Sequence, residues 1–159
     1  LVEAPLVVQH SDIPPLTITV MSSEPIPGGY GFIESYQMTQ GDISKSINRF
    51  HFTKWIDMGG TSTDNLRFIL TGLRGQNVIH CKAGVGRTGT VILTAVIEEL
   101  IKGKHLNLNT LTVGDVVRIL CHLRRDRPWL VQQPVQLALV LDYLRKRSLR
   151  LLEAPDAES

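Results

Sequence analysis

Cys81 and Arg87 bracket the short Gly-rich stretch Lys82 to Gly86 in the run His-Cys-Lys-Ala-Gly-Val-Gly-Arg-Thr-Gly, His80 to Gly89. An apolar run, Asn77 to Ile79, feeds in, and a strongly apolar run, Thr90 to Ile101, leads out. The order is strand, tight loop, helix. A loop of this kind turns successive backbone N–H groups inward and sits on a helix N-terminus, which makes an anion site. A thiol and a guanidinium added to that cradle suit phosphoryl transfer to sulfur.

Each residue type has a physical reason. The N–H nest, the helix N-terminus and Arg87 all favour a negative charge at Cys81, and the thiolate is the nucleophilic form. Arg87 offers a planar fork that matches two phosphate oxygens, a geometry lysine lacks. Gly84, Gly86 and Gly89 permit close backbone approach to the phosphate, so that Lys82, Ala83, Gly84, Val85 and Gly86 line it together with Arg87. The Thr88 hydroxyl is placed to donate to the sulfur and stabilise it as a leaving group. His80 is placed to fix the cysteine from behind. Lys82 either adds positive potential at the pocket floor or swings into solvent.

The elements that must position this loop read as follows. Leu16 to Val20 alternates and predicts a strand. Tyr30 to Met38 and Ser46 to Thr53 predict two more, with a turn at Gln40-Gly41-Asp42. Thr61 with Asp64 resembles a capping box. Leu66, Ile69, Leu70 and Leu73 then repeat at helical spacing up to Gly75. Val78-Ile79 predicts a short buried strand. Thr90 to Lys102 is apolar on nearly every side and predicts a central buried helix closed by Gly103. Thr112 caps a helix to about Arg125, with Cys121 expected in its buried core. Pro134 opens a last helix to about Arg147. Residues 148–159 read as a tail, leaving one domain over residues 1–147.

The loop resembles the His-Cys-x5-Arg-Thr/Ser signature of the cysteine-dependent protein phosphatases. Sulfurtransferases also carry an active-site cysteine loop, but the Gly-Val-Gly-Arg-Thr-Gly ending is closer to the phosphatases. Two further segments carry the resemblance. Arg49 to Gly59, Arg-Phe-His-Phe-Thr-Lys-Trp-Ile-Asp-Met-Gly, looks like the His-Phe-x-x-Trp-Pro-Asp-x-Gly segment of the tyrosine-specific members. Leu123 to Gln136, Leu-Arg-Arg-Asp-Arg-Pro-Trp-Leu-Val-Gln-Gln-Pro-Val-Gln, is similar to their Arg-x-x-Arg-x-x-Met-Val-Gln-Thr-x-x-Gln element. On local sequence alone Asp57, close to Gly59-Gly60, is a turn residue, and Gln132 and Gln136 are solvated residues at a helix start.

The resemblance implies an α/β fold, a mixed central sheet flanked by helices. It implies that Asp57 is a general acid on a loop with Trp55, that Gln132 positions water, and that Gln136 matches the second glutamine. The implied reaction is phosphotyrosine hydrolysis through a cysteinyl-phosphate on a phosphotyrosine-containing protein or peptide, with no metal or organic cofactor. The pattern spans roughly residues 16 to 145 and corresponds to the C-terminal part of a phosphatase domain. The family's N-terminal part, with its Asn-Arg-Tyr loop and aromatic selector, is expected to be missing, so the chain reads as a fragment or a short form. Ile56 stands where the family has Pro, which alters the stiffness of the Asp57 loop. A second reading therefore stays open: a catalytically weak or silent pseudophosphatase that binds phosphorylated partners. A third is a broader-specificity phosphatase with a shallow pocket.

Composition narrows the classes. A chain of 159 residues with 43% hydrophobic and 20% charged residues is an ordinary globular sequence. A net charge of +2 with no basic stripe argues against nucleic acid. No apolar run approaches a membrane helix, and no signal pattern is visible. Two cysteines do not make a disulfide framework, and a reactive thiolate needs a reducing compartment, so a cytoplasmic location is expected.

Overall fold

The computed structural model describes residues 4–153. The contacts divide the chain into two compact units, one up to Lys54 and the other from Trp55 onward.

The first unit is a meander of four strands: β1 Leu6–His10, β2 Ile13–Pro25, β3 Gly31–Gln40 and β4 Ile43–Phe52, in the order β1-β2-β3-β4. All three described pairings are antiparallel, whereas the sequence reading expects a mixed sheet. The β3–β4 hairpin closes where Gln40 pairs with Ile43, and Gly41 takes the positive φ of 56° that such a tight turn requires. Gly31 is the other constrained glycine: a Cβ there would overlap the His51 carbonyl of β4. Across β3 and β4, Arg49 pairs with Glu34 at 3.0 Å, and Tyr36 donates to the same carboxylate.

The second unit is helical: α1 Thr63–Gly72, α2 Gly86–Lys102, α3 Val113–Asp126 and α4 Pro134–Glu153. The central helix α2 packs against α1, α3 and α4. Its near-continuous apolar character follows from that position. Leu93 and Ile97 are fully buried, and so are Thr90 and Thr94. The two threonines are tolerated because their hydroxyls donate back along the helix, to the carbonyls of Gly86 at 3.0 Å and Thr90 at 2.8 Å. Leu66 and Ile69 of α1, Val116 and Leu120 of α3, and Val140 and Leu144 of α4 complete the core. Thr112 and Asp115 cap α3 reciprocally, a full capping box.

Four expectations are corrected. Ser62, not Thr61, caps α1; its side chain accepts from the Asn65 N–H, while Thr61 takes the Asn65 side-chain amide instead. Val78-Ile79 is not a strand, and Val78 is 93% exposed, because no described strand lies beside it to accept pairing. Cys121 is exposed rather than in the core; it falls off the Val116–Leu120 face of α3. Helix α4 runs on to Glu153, past the predicted end at Arg147 and into the expected tail, whose remainder lies outside the described residues. Arg150 continues α4 and pairs with Asp64 of α1 at 3.0 Å.

Because the core of this unit is built around α2, truncation there should be costly. Leu93→Ala is expected to lose about 3 kcal/mol in urea unfolding, while Val113→Ala, 58% exposed on α3, should stay within about 0.5 kcal/mol of the parent.

Candidate active site

The site lies in the second unit, on the loop from Cys81 to Val85 and the first turn of α2. Gly84 adopts φ 70°, the left-handed value that turns the loop back into the helix. Val85 precedes the helix without a side-chain cap, so the first N–H groups of α2 are left for other acceptors. Cys81 and Val85 are half-buried, Gly86, Thr88 and Gly89 are buried, and Lys82 and Ala83 face solvent.

Burial pushes the Cys81 thiol up, but it is outweighed by the Thr88 hydroxyl and the backbone N–H groups of Thr88, Gly84 and Val85, which bring the pKa down to about 7. Thr88 Oγ1 is itself buried with no regular hydrogen-bond partner, so the sulfur is the group on which it acts. The expected help from Arg87 is absent from this balance. Arg87 is engaged elsewhere: Nη1 donates to the Trp55 carbonyl at 2.8 Å and Nη2 to Asp57 Oδ1 at 3.0 Å. The guanidinium is 21% exposed and the carboxylate 52%.

Asp57 thus meets Arg87 directly, and it is also the turn residue its local sequence suggests. Gly59 N–H closes the turn on the Ile56 carbonyl at 3.1 Å, and Met58 takes φ 63° within it. Trp55 is buried and donates from its indole to the Gly59 carbonyl at 3.1 Å, which holds the turn from behind. Ile56, at 76% exposure, does not fix the backbone φ of the loop as Pro would.

The third segment comes to the loop from the other side. Val131 N–H donates to the Val85 carbonyl at 3.0 Å, and Arg127 Nε donates to the Gly84 carbonyl at 2.8 Å. A Cβ on Gly89 would overlap Val131 N and stand 3.0 Å from Leu130 backbone carbon, so only glycine admits this approach. Arg124 clamps the turn by donating to the carbonyls of Leu130 at 2.8 Å and Val131 at 2.9 Å. Trp129 at φ 69° and Val131 at φ 57° sit in the left-handed region. That conformation costs non-glycine residues about 1–3 kcal/mol each and persists only where the surroundings fix it.

Gln136 and Gln132 stand over Gly86: a Cβ built there would lie 2.8 Å from Gln136 Nε2 and 3.5 Å from Gln132 Oε1. Gln136 is fully buried, which corrects its local reading as solvated, while Gln132 is exposed. Gln136 Oε1 accepts from Gln133 N–H, leaving Nε2 buried without a partner. With Arg87 Nε and Thr88 Oγ1, three of the five such atoms among the described residues belong to this loop or face it. Thr88 Oγ1 serves the Cys81 sulfur, which leaves Arg87 Nε and Gln136 Nε2 as donors for an oxyanion.

His80 does not take its predicted place; it is exposed and makes no hydrogen bond among the described residues. Arg124 and Arg127, which the sequence reading left unassigned, hold backbone carbonyls of the turn and of the Cys81 loop, and both occupy the arginine positions of the third motif. No group of His, Cys, Asp and Glu among the described residues is arranged to hold a metal ion. No described helix is long and apolar enough to cross a membrane.

Comparison with known proteins identifies the family and the fold. The family model for protein-tyrosine phosphatase matches residues 13–146. Receptor-type tyrosine-protein phosphatase eta of Gallus gallus is 33% identical over 131 residues, 72% of this chain and 9% of that protein. Receptor-type tyrosine-protein phosphatase N2 of Mus musculus is 30% identical over 125 residues, 72% of this chain and 12% of that protein. Among solved structures, the catalytic domain of human protein tyrosine phosphatase non-receptor type 18 superposes with TM-score 0.74 at 19% identity, covering 90% of this chain and 50% of that one. The phosphatase TbPTP1 of Trypanosoma brucei gives TM-score 0.74 at 22% identity, covering 92% and 52%. A complex of PTPN18 with HER2-pY1248 phospho-peptides gives TM-score 0.72 at 20% identity, covering 90% and 53%. The chain therefore spans about half of these solved chains and only 9–12% of the two receptor-type relatives. On the family match over most of its length, the chain belongs to the protein-tyrosine phosphatase family.

Proposed function

We propose that this chain hydrolyses phosphotyrosine in a protein or peptide through a cysteinyl-phosphate. The observation that carries the reading is the Cys81 thiol, brought down to about 7 by Thr88 and the loop N–H groups, beside donors that lack partners. A structural neighbour solved in complex with phosphorylated-tyrosine peptides supports such peptides as the substrate class.

In the first step Cys81 Sγ forms a bond to phosphorus as the phosphorus–phenol oxygen bond breaks. Arg87 and the loop N–H groups hold the equatorial oxygens. For this, Arg87 Nη2 exchanges the Asp57 carboxylate for the phosphoryl group. Asp57, released from Arg87, takes up a proton from water and delivers it to the phenolate oxygen, which is a poor leaving group without it. In the second step Gln132 orients a water, Asp57 takes its proton as the water oxygen bonds to phosphorus, and the sulfur–phosphorus bond breaks to give inorganic phosphate. Cys81 leaves as thiolate under the Thr88 hydroxyl. Neither step calls on a metal. The thiolate chemistry suits a reducing environment.

One observation favours a second reading, a phosphotyrosine-binding domain with little turnover. Asp57 is bound to Arg87 on a loop where Ile56 replaces the stiffening proline. The same assay separates the two. Phosphate release from p-nitrophenyl phosphate should vanish in Cys81→Ser and under vanadate, and Asp57→Asn should lower kcat by about 10²- to 10⁴-fold on substrates with poor leaving groups. Release that survives Cys81→Ser would refute the proposed reaction; tight phosphopeptide binding with no release from the folded chain would establish the binding-only reading.

The thiol can be read independently of turnover. Alkylation of Cys81 by iodoacetamide should rise between pH 6 and 8 with a midpoint at about 7, because the reactive form is the thiolate and its folded pKa is lowered. Thr88→Val removes a donor to the thiolate and should move the midpoint upward. An unchanged midpoint would take Thr88 out of the mechanism.

A further inference from the structure

We infer that the open cavity between α1 and α4 is a second anion site, separate from the Cys81 loop, and that its ligand is a small phosphate-bearing anion. The inference stands apart from the phosphatase reading and does not depend on turnover.

The lining comes first. The cavity has a volume of about 210 Å³ and is walled by Thr63 and Arg67 of α1 and by Tyr143, Lys146, Arg147 and Arg150 of α4. Both sets recur at helical spacing, so each helix turns one face to the cavity. Four of the six side chains are cationic and none is aliphatic. The ring of Tyr143 is buried, and its hydroxyl donates to Glu98 at 2.8 Å. An apolar ligand finds no matching wall here, whereas three guanidinium forks and an ammonium suit phosphate oxygens.

Charge balance is the second observation. Asp64 lies 3.0 Å from Arg150 and 3.8 Å from Arg67, Glu98 lies 2.9 Å from Arg147, and Asp142 lies 2.9 Å from Lys146. Three carboxylates thus meet four cations, and Asp64 is divided between two guanidiniums. Burial and Glu98 push the Tyr143 phenol up, while the charges of Arg147 and Arg67 oppose them, so cations of both helices bear on one point of the cavity wall.

An unpaired donor is the third. Arg147 gives Nε to Glu98, but its Nη1 is buried with no acceptor. A guanidinium N–H shut off from water without an acceptor is costly, and beside a cationic cavity it points to an acceptor supplied from outside the chain. Thr63 accepts from Lys146 Nζ at 3.2 Å, which leaves its own O–H to donate to a ligand.

The test follows pyrophosphate binding by calorimetry in the chain carrying Arg87→Ala, which removes the fork of the Cys81 loop and so separates the two sites. One saturable site is expected. Adding Arg67→Gln should weaken it about tenfold, because a charge-assisted hydrogen bond is lost, and Arg150→Gln should do the same. The side chain of Arg67 is 54% exposed and its nearest carboxylate is 3.8 Å away, so Arg67→Gln should keep the Tm of its parent. Arg118→Gln is the control: Arg118 is 78% exposed, pairs with Asp115 within α3 and does not line the cavity, so its loss should leave the affinity unchanged. Absence of saturable binding overturns the site. Equal losses from Arg67→Gln and Arg118→Gln also overturn it, because net charge would then be the cause. Affinity unchanged in both Arg67→Gln and Arg150→Gln overturns it as well.

Discussion

The close approach of the Leu130–Val131 backbone to Gly89 governs the geometry of the site. Helix α2 starts at the loop that carries Cys81, and its first turn must be flat on one side to receive another chain segment. Gly89 supplies that flat side, and the Val85 carbonyl accepts both the Gly89 N–H, at 3.1 Å, and the Val131 N–H, at 3.0 Å. Once the segment is seated, Gln132 and Gln136 fall over Gly86, and Arg127 falls on Gly84. The left-handed backbone of buried Val131 is held there by the two carbonyl contacts from Arg124. Local strain is thus offset by charge-assisted hydrogen bonds, not by packing alone.

The electrostatics of the cysteine follow from the same arrangement. Partial burial by itself opposes a thiolate, and the loop reverses the sign with oriented dipoles: three backbone N–H groups and one hydroxyl. Fixed dipoles need no counter-charge, so the guanidinium of Arg87 is spared for oxygen ligands. This differs from the simplest sequence argument, in which a nearby arginine activates the cysteine through its charge. Here the arginine is spoken for by Asp57 and the Trp55 carbonyl.

Much of the fold was legible where the physical signal is local. The turn at Gly41, the capping box of α3 and the apolar periodicity of α2 all encode themselves within a few residues. β1 was missed because Leu6–His10 is a short segment with no alternation, although Ser11-Asp12 after it is a turn signal. The start of β2 was missed because Pro14 and Pro15 argue against a strand. Val78-Ile79 failed for the opposite reason: an apolar pair specifies burial only if a partner strand is present. In the site, Cys81 and Arg87 are legible from the residue types of the loop and Asp57 only through the family resemblance, and the meeting of Arg87 with Asp57 depends on tertiary contacts no window contains. Arg124 and Arg127 were in view but carried no role until the carbonyls they hold were visible. His80 shows the converse: sequence adjacency to the nucleophile did not bring it into the site.

The shared use of Arg87 has a consequence for what leaves the site. Any oxyanion that takes Nη2 must first separate it from Asp57, so the net affinity of the loop for a free anion is its intrinsic affinity less the strength of that ion pair. A substrate anchored elsewhere along its chain can offset this cost, whereas inorganic phosphate has no other handle. In the proposed reaction the pair would therefore act as a return spring, with re-formation of the Asp57–Arg87 contact favouring expulsion of the product and retention reserved for ligands with a body as well as a phosphate.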